Sequence, residues 1–90
     1  MRTEKKPRRN PQYRLEQMDN ELLLYHPAKT KVMYCNEVAS LIWQLCDGER
    51  SPEEIVALLI EAYPDGAERI ATDVQATLEQ FLAHGAIKYV

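Results

Sequence analysis

The sequence predicts an α+β domain in which a three-stranded antiparallel sheet is followed by three helices, in a winged helix-turn-helix-like arrangement. Three observations carry this. The apolar pattern changes at Asn36, from loose alternation before it to helical spacing after it. Two helix starts are written in capping residues, at Asn36 and at Ser51-Pro52-Glu53-Glu54. Two breakers, Asp47-Gly48 and Pro64-Asp65-Gly66, separate the helical stretches, and consecutive helices with a short break resemble a helix-turn-helix.

Taken in order, residues 1–11 read as a basic flexible tail, because Pro7 and Pro11 oppose a helix and no apolar residue follows Met1. Residues 12–90 form the folded domain. A first strand is expected over 13–18, with Tyr13 and Leu15 on one side and Arg14 and Glu16 on the other. Asp19-Asn20 is a two-residue hairpin signal. A second strand over 21–26 carries Leu22, Leu23, Leu24 and Tyr25. A third, over 31–35, puts Met33 and Cys35 on one face and Val32 and Tyr34 on the other.

The first helix is expected over 37–46. Asn36 caps it, and Val38, Leu41, Ile42 and Leu45 make its stripe. Ser51 opens the second, over 52–63, with Pro52 at the first helical position and Glu54 placed for a capping box. Ile55, Leu58 and Leu59 are its stripe. The third runs over 67–84, with Ala67, Ile70, Ala71, Val74, Leu78, Phe81 and Leu82 in one broad apolar arc, and Gly85 ends it. Residues 86–90 add a short strand or simply pack.

Ninety residues make one domain, and 46% apolar residues suffice for a small core. No apolar run approaches the roughly 18 residues of a membrane span. The basic start lacks a following hydrophobic segment, so no secretory signal is expected and a cytoplasmic location follows. Cys35 and Cys46 are separated by about 16 Å of helix, too far for a disulfide, and read as buried apolar residues. Residues 1–14 carry six basic residues and one acid, a net of +5, while residues 15–90 carry five basic and thirteen acidic, a net of −8.

That distribution bears on function. A helix-turn-helix reader needs a basic recognition helix. The second helix instead carries Glu53, Glu54 and Glu61, and the third Glu68, Asp73 and Glu79 against Arg69 alone. A winged-helix nucleic-acid-binding protein is therefore the alternative, not the expectation. Catalytic and metal-ligating residues are expected to be none. His26 ends a strand, His84 sits in a last helical turn favoured by the dipole, and neither has a partner at ligand spacing. Three glycines leave no phosphate loop, and no cofactor is implied. A third class is a peptide adapter, since a sheet of three strands has edges that can accept another strand. Spacing alone does not decide whether Val32 and Tyr34 meet a partner or are ordinary half-exposed strand residues. An unpaired edge is compatible with a monomer or a weak dimer.

The ordered segments Leu22-Leu23-Leu24-Tyr25, Asn36-Glu37-Val38-Ala39, Leu41-Ile42-Trp43, Asp47-Gly48-Glu49-Arg50-Ser51, Glu54-Ile55 and Asp73-Val74 resemble the PqqD family, also called RiPP recognition elements. The resemblance covers about residues 11–87. It implies a winged helix-turn-helix fold and a non-catalytic peptide chaperone. Such a chaperone binds the leader of a ribosomally made precursor peptide and presents it to a modifying enzyme. In pyrroloquinoline quinone biosynthesis that enzyme is a radical S-adenosylmethionine protein. Members of the quinone pathway usually end in a Gly-Trp-hydrophobic sequence where this chain has Gly85-Ala86-Ile87, so a related peptide pathway is equally implied. The leader is expected on the third strand, at Thr30, Lys31, Val32, Met33 and Tyr34, and against the third helix. At 100° per residue Ile70, Asp73, Thr77 and Phe81 lie along one edge of the helix arc, with Val74 just inside it, and these are the expected wall, the opposite flank through Gln75 and Leu82 being the alternative. Trp43 falls off the apolar stripe and is expected to pack against the tail or the last residues.

Overall fold

The computed structural model describes residues 5–19, 21–29 and 32–90. Strands β2 (Arg14–Met18), β3 (Glu21–Tyr25) and β4 (Val32–Cys35) make an antiparallel sheet in the order β2-β3-β4. Helices α1 (Glu37–Leu45), α2 (Pro52–Ala62) and α3 (Ala67–His84) follow, with a 3-10 turn at Pro64–Gly66 between the last two. This is the expected α+β order. Two further strands, β1 (Pro7–Arg9) and β5 (Ile87–Tyr89), form a separate antiparallel ribbon, with Pro7 opposite Tyr89 and Arg9 opposite Ile87.

The ribbon corrects the reading of residues 1–11 as a tail. Residues 1–4 lie outside the described part, but Pro7 is fully buried. Gly48 donates its N–H to the Pro7 carbonyl at 2.8 Å, Arg9 to that of Cys46 at 2.9 Å, and Asn10 to that of Ala86 at 2.8 Å. Proline is tolerated because it is the first residue of β1. The pairing is tertiary, between chain ends, so local composition carries no trace of it.

The hairpin pairs Met18 with Glu21 and so leaves a two-residue loop, in which Asp19 takes φ 56. In the sheet, Leu15, Leu24 and Met33 form one cross-strand row on the core side. Glu16, Leu23 and Tyr34 form a row on the other side.

Each helix end has a physical cause. Asn36 accepts the Ala39 N–H at 2.7 Å through Oδ1. Ser51 and Glu54 complete the capping box, with bonds of 3.2 and 2.7 Å. Gly85 takes φ 83, letting its own N–H reach the Leu82 carbonyl and the Ala86 N–H reach that of Phe81. Helix α3 packs on α1, α2 and β5. Its residues Ile70, Val74, Leu78 and Phe81 meet Ile42, Ile55, Leu59 and Ile87 in the core. Leu58 and Leu82, expected in the stripes, stay 39% and 46% exposed at the edges of their arcs. Cys46 is buried as expected, whereas Cys35 is only half-buried, because β4 is an edge strand.

Candidate peptide-binding site

Strand β4 ends the three-stranded sheet, and only β3 pairs with it. Antiparallel pairing uses alternate N–H and C=O groups of β4, so the rest point away from the sheet. Among the described residues no backbone bond occupies that outer edge. The other edge, β2, shows exposed Arg14, Glu16 and Gln17, charged and polar side chains of the kind that blunt edges.

Side chains on β4 alternate as the sequence predicts. Val32 is 46% and Tyr34 72% exposed, while Met33 and Cys35 pack toward the core. Thr30 and Lys31 lie outside the described residues. Asn36 follows directly, and there a groove of about 360 Å³ opens between the start of α1 and one flank of α3. Helix α1 contributes Val38 and Ala39 to it, and α3 contributes Arg69, Asp73, Ala76 and Thr77.

The structure separates the residues of the expected wall into two groups. Asp73 is exposed and Thr77 half-exposed, and both line the groove. Ile70, Val74 and Phe81 are only 6%, 1% and 1% exposed, and belong to the core. In a domain this small α3 is the central helix, so three neighbours consume its apolar arc. What the core leaves exposed is the polar margin of that arc. Arg69 and Ala76, which the sequence reading did not select, sit on that margin. The spacing of Arg69, Asp73, Ala76 and Thr77 at i, i+4, i+7 and i+8 was the available signal.

A second concavity of about 380 Å³ lies beyond the groove, against the Pro64–Gly66 turn. Val38, Arg69 and Asp73 line both. Among the described residues the one ion pair is Arg50 with Asp47, at 2.7 Å, so the Arg69 and Asp73 charges face the groove unpaired.

The remaining polar groups have structural tasks. The His26 ring accepts the Ala28 N–H at Nδ1 and meets Gln12 through Nε2, at 3.0 and 3.1 Å, which fixes the turn after β3. The Tyr13 hydroxyl donates to the His84 carbonyl at 2.5 Å. Burial pushes the Cys46 thiol up to about 12 and leaves it a poor nucleophile. No helix among the described residues is long and apolar enough to cross a membrane.

A family model described as coenzyme PQQ synthesis protein D (PqqD) matches residues 21–87. The chain belongs to the PqqD family. The PqqD match begins at β3 and ends at β5, so it takes in β4, α1, α3 and the groove between them. It leaves out β1 and β2. Among solved structures the chain is similar to TbiB1 in complex with the TbiA(beta) leader peptide, at 21% identity and a TM-score of 0.71. That likeness covers 90% of this chain and 94% of that one, and it shows a shared fold. No curated protein matches the chain.

Proposed function

We propose that this chain is a cytoplasmic, non-catalytic adapter. It binds the leader of a ribosomally synthesised precursor peptide and presents it to a modifying enzyme of the radical S-adenosylmethionine type. The pathway is pyrroloquinoline quinone biosynthesis or a related peptide pathway. The observation that carries the reading is an unpaired edge strand that ends at a groove, within a PqqD-family fold. TbiB1, which shares the fold, is solved with a leader peptide bound.

The leader adds to β4 as a further antiparallel strand. Main-chain bonds fix its register, and alternate side chains turn toward α3. Asp73 and Arg69 meet charges of the peptide, and Ala76 and Thr77 leave room for its backbone. Two or three aliphatic anchors, each contributing about 1.5–3 kcal/mol, offset the ordering of a flexible leader and give micromolar or tighter binding. Residues 5–90 form one folded unit.

The exposed acids on α2 and α3 (Glu53, Glu61, Glu68, Asp73 and Glu79) disfavour nucleic acid on the helical face. The test starts from gene neighbourhood, where a short peptide gene beside a radical S-adenosylmethionine enzyme supplies the cognate leader. Titration of labelled protein with that leader should shift the amides of residues 32–35, 69, 73 and 77. Shifts confined to α2 or to β2 would refute the site.

A further inference from the structure

We infer that the concavity at the Pro64–Gly66 turn is an anchor pocket for one large apolar side chain of the bound peptide, placed about four residues before the segment that pairs with β4. The inference rests on the added-strand reading and carries it past the end of the sheet.

The pocket is the right size and character. It holds about 380 Å³, at the small end of the range for specific ligand sites. Its walls are mainly Val38 of α1, Ala62 and Tyr63 at the end of α2, and Ile70 of α3. Gly66 also lines it, and its backbone gives no reason for a glycine. Its φ of −101° is open to any residue. A Cβ there would meet only Ile70, at 3.9 Å. The effect of glycine at this position is space.

The pocket also lies on the peptide's path. The groove starts at Asn36, where β4 ends, and shares Val38, Arg69 and Asp73 with the pocket. Both pairings in the sheet are antiparallel. A peptide added in the same sense has its N-terminal end at the C-terminal end of β4. Continuing in that direction it runs down α3 from Thr77 toward Arg69. Eight residues of helix rise about 12 Å, which about four extended residues span. The side chain at that point enters the pocket, with Arg69 and Asp73 at its lip.

The probe is a peptide selected from a random 15-residue phage-displayed library on the intact chain, then synthesised. Its dissociation constant is measured for the natural chain, for Gly66→Leu and for Ala62→Glu, with thermal melts reporting folding. N-methylation along the peptide locates the strand-pairing segment, and an alanine scan locates the anchor. Losing one buried apolar side chain should weaken binding roughly tenfold to a hundredfold. The largest alanine loss should fall at a large apolar residue about four positions before the N-methyl-sensitive segment. Gly66→Leu and Ala62→Glu should weaken binding similarly, and should have no further effect on the anchor-less peptide. Unchanged affinity in both folded variants, with N-methyl sensitivity and shifts at residues 32–35 intact, overturns the pocket and leaves the strand reading standing. Sensitivity to both variants without N-methyl sensitivity supports the pocket and overturns the strand reading. Failure to select any binder counts against both.

Discussion

Trp43 donates its indole N–H to the carbonyl of Ala86 at 3.2 Å. The Arg9 guanidinium lies 5.7 Å from the centre of the same ring and also donates to the Gln44 carbonyl. One side chain thus joins α1 to both ends of the chain. The Ala86 carbonyl keeps the Asn10 N–H when the indole is removed. Trp43→Phe should therefore cost about 1–2 kcal/mol, and Arg9→Ala about 0.5–1 kcal/mol. Urea midpoints followed by circular dichroism would check both; no change in either would mean the ribbon is not coupled to α1.

Gly85 sits at φ 83, with the Tyr13 hydroxyl 3.8 Å from where a Cβ would be. Space is available, so the penalty for Gly85→Ala should be conformational, about 1–2 kcal/mol. A neutral Gly85→Ala in thermal melts would contradict the left-handed cap.

Acid should loosen the two turns that lead into α2. The Glu49 N–H, above all, holds the Asp47 carboxyl below its ordinary range, and the Ser51 N–H does the same for Glu54. A lowered folded value means the unfolded chain takes up protons first as pH falls. The contribution is complete above the ordinary carboxylate range and is lost as pH drops through the lowered values. Asp47→Asn and Glu54→Gln should each flatten the acid limb of a stability–pH curve, and parallel limbs would argue against these bonds.

Alkali should act through Cys46. Its thiol, raised by burial from 9.0 to about 12, stays protonated in the fold while an unfolded chain ionises. Stability from this source is intact below about pH 9 and falls as pH rises toward 12. At pH 8 a thiol reagent should modify half-buried Cys35 well before Cys46, read by mass spectrometry of the labelled peptides. Equal rates would show that the ribbon opens readily.

Core and groove positions on α3 should separate cleanly. Phe81→Ala should cost about 3–5 kcal/mol of stability, enough to endanger folding. Asp73→Lys should stay within about 0.5 kcal/mol of the natural chain while altering which charges a bound peptide carries. If Phe81→Ala folded normally and lost only peptide affinity, the groove would have to include the α3 face that now reads as core.

Most of the main sheet and all three helices are legible in the sequence because their causes are local. Asn36, Ser51, Pro52 and Gly85 act within a turn of themselves, and the apolar periods act within one element. The β1–β5 ribbon is not legible, because Pro7 lies opposite Tyr89, 82 residues away, and the ladder bonds beside that pair are made by the backbone groups of Lys6 and Val90, which carry no side-chain signal. The strand edge of the site follows from strand order and alternation, which Val32 and Tyr34 display. On the helical side the sequence puts Ile70, Val74 and Phe81 along the groove, whereas the structure buries Val74 and Phe81 in the core and leaves Ile70 only 6% exposed. Helical phase gives the direction of a side chain but not how many neighbours compete for it. Arg69 is a lone cation among the acids of its helix in the sequence, and the groove beside it is seen only in the fold.

The ribbon has a mechanical consequence. Its outermost bonds join the Lys6 N–H to the Val90 carbonyl at 3.1 Å and the Val90 N–H to the Lys6 carbonyl at 2.9 Å. Lys5 and Val90, the first and last described residues, lie at that same point. Tension between them loads the ladder one rung at a time, from Lys6 and Val90 inward, like a zipper drawn from its open end. Cargo tethered to both termini would peel β1 from β5 at low force, well before it strained the bonds around α3.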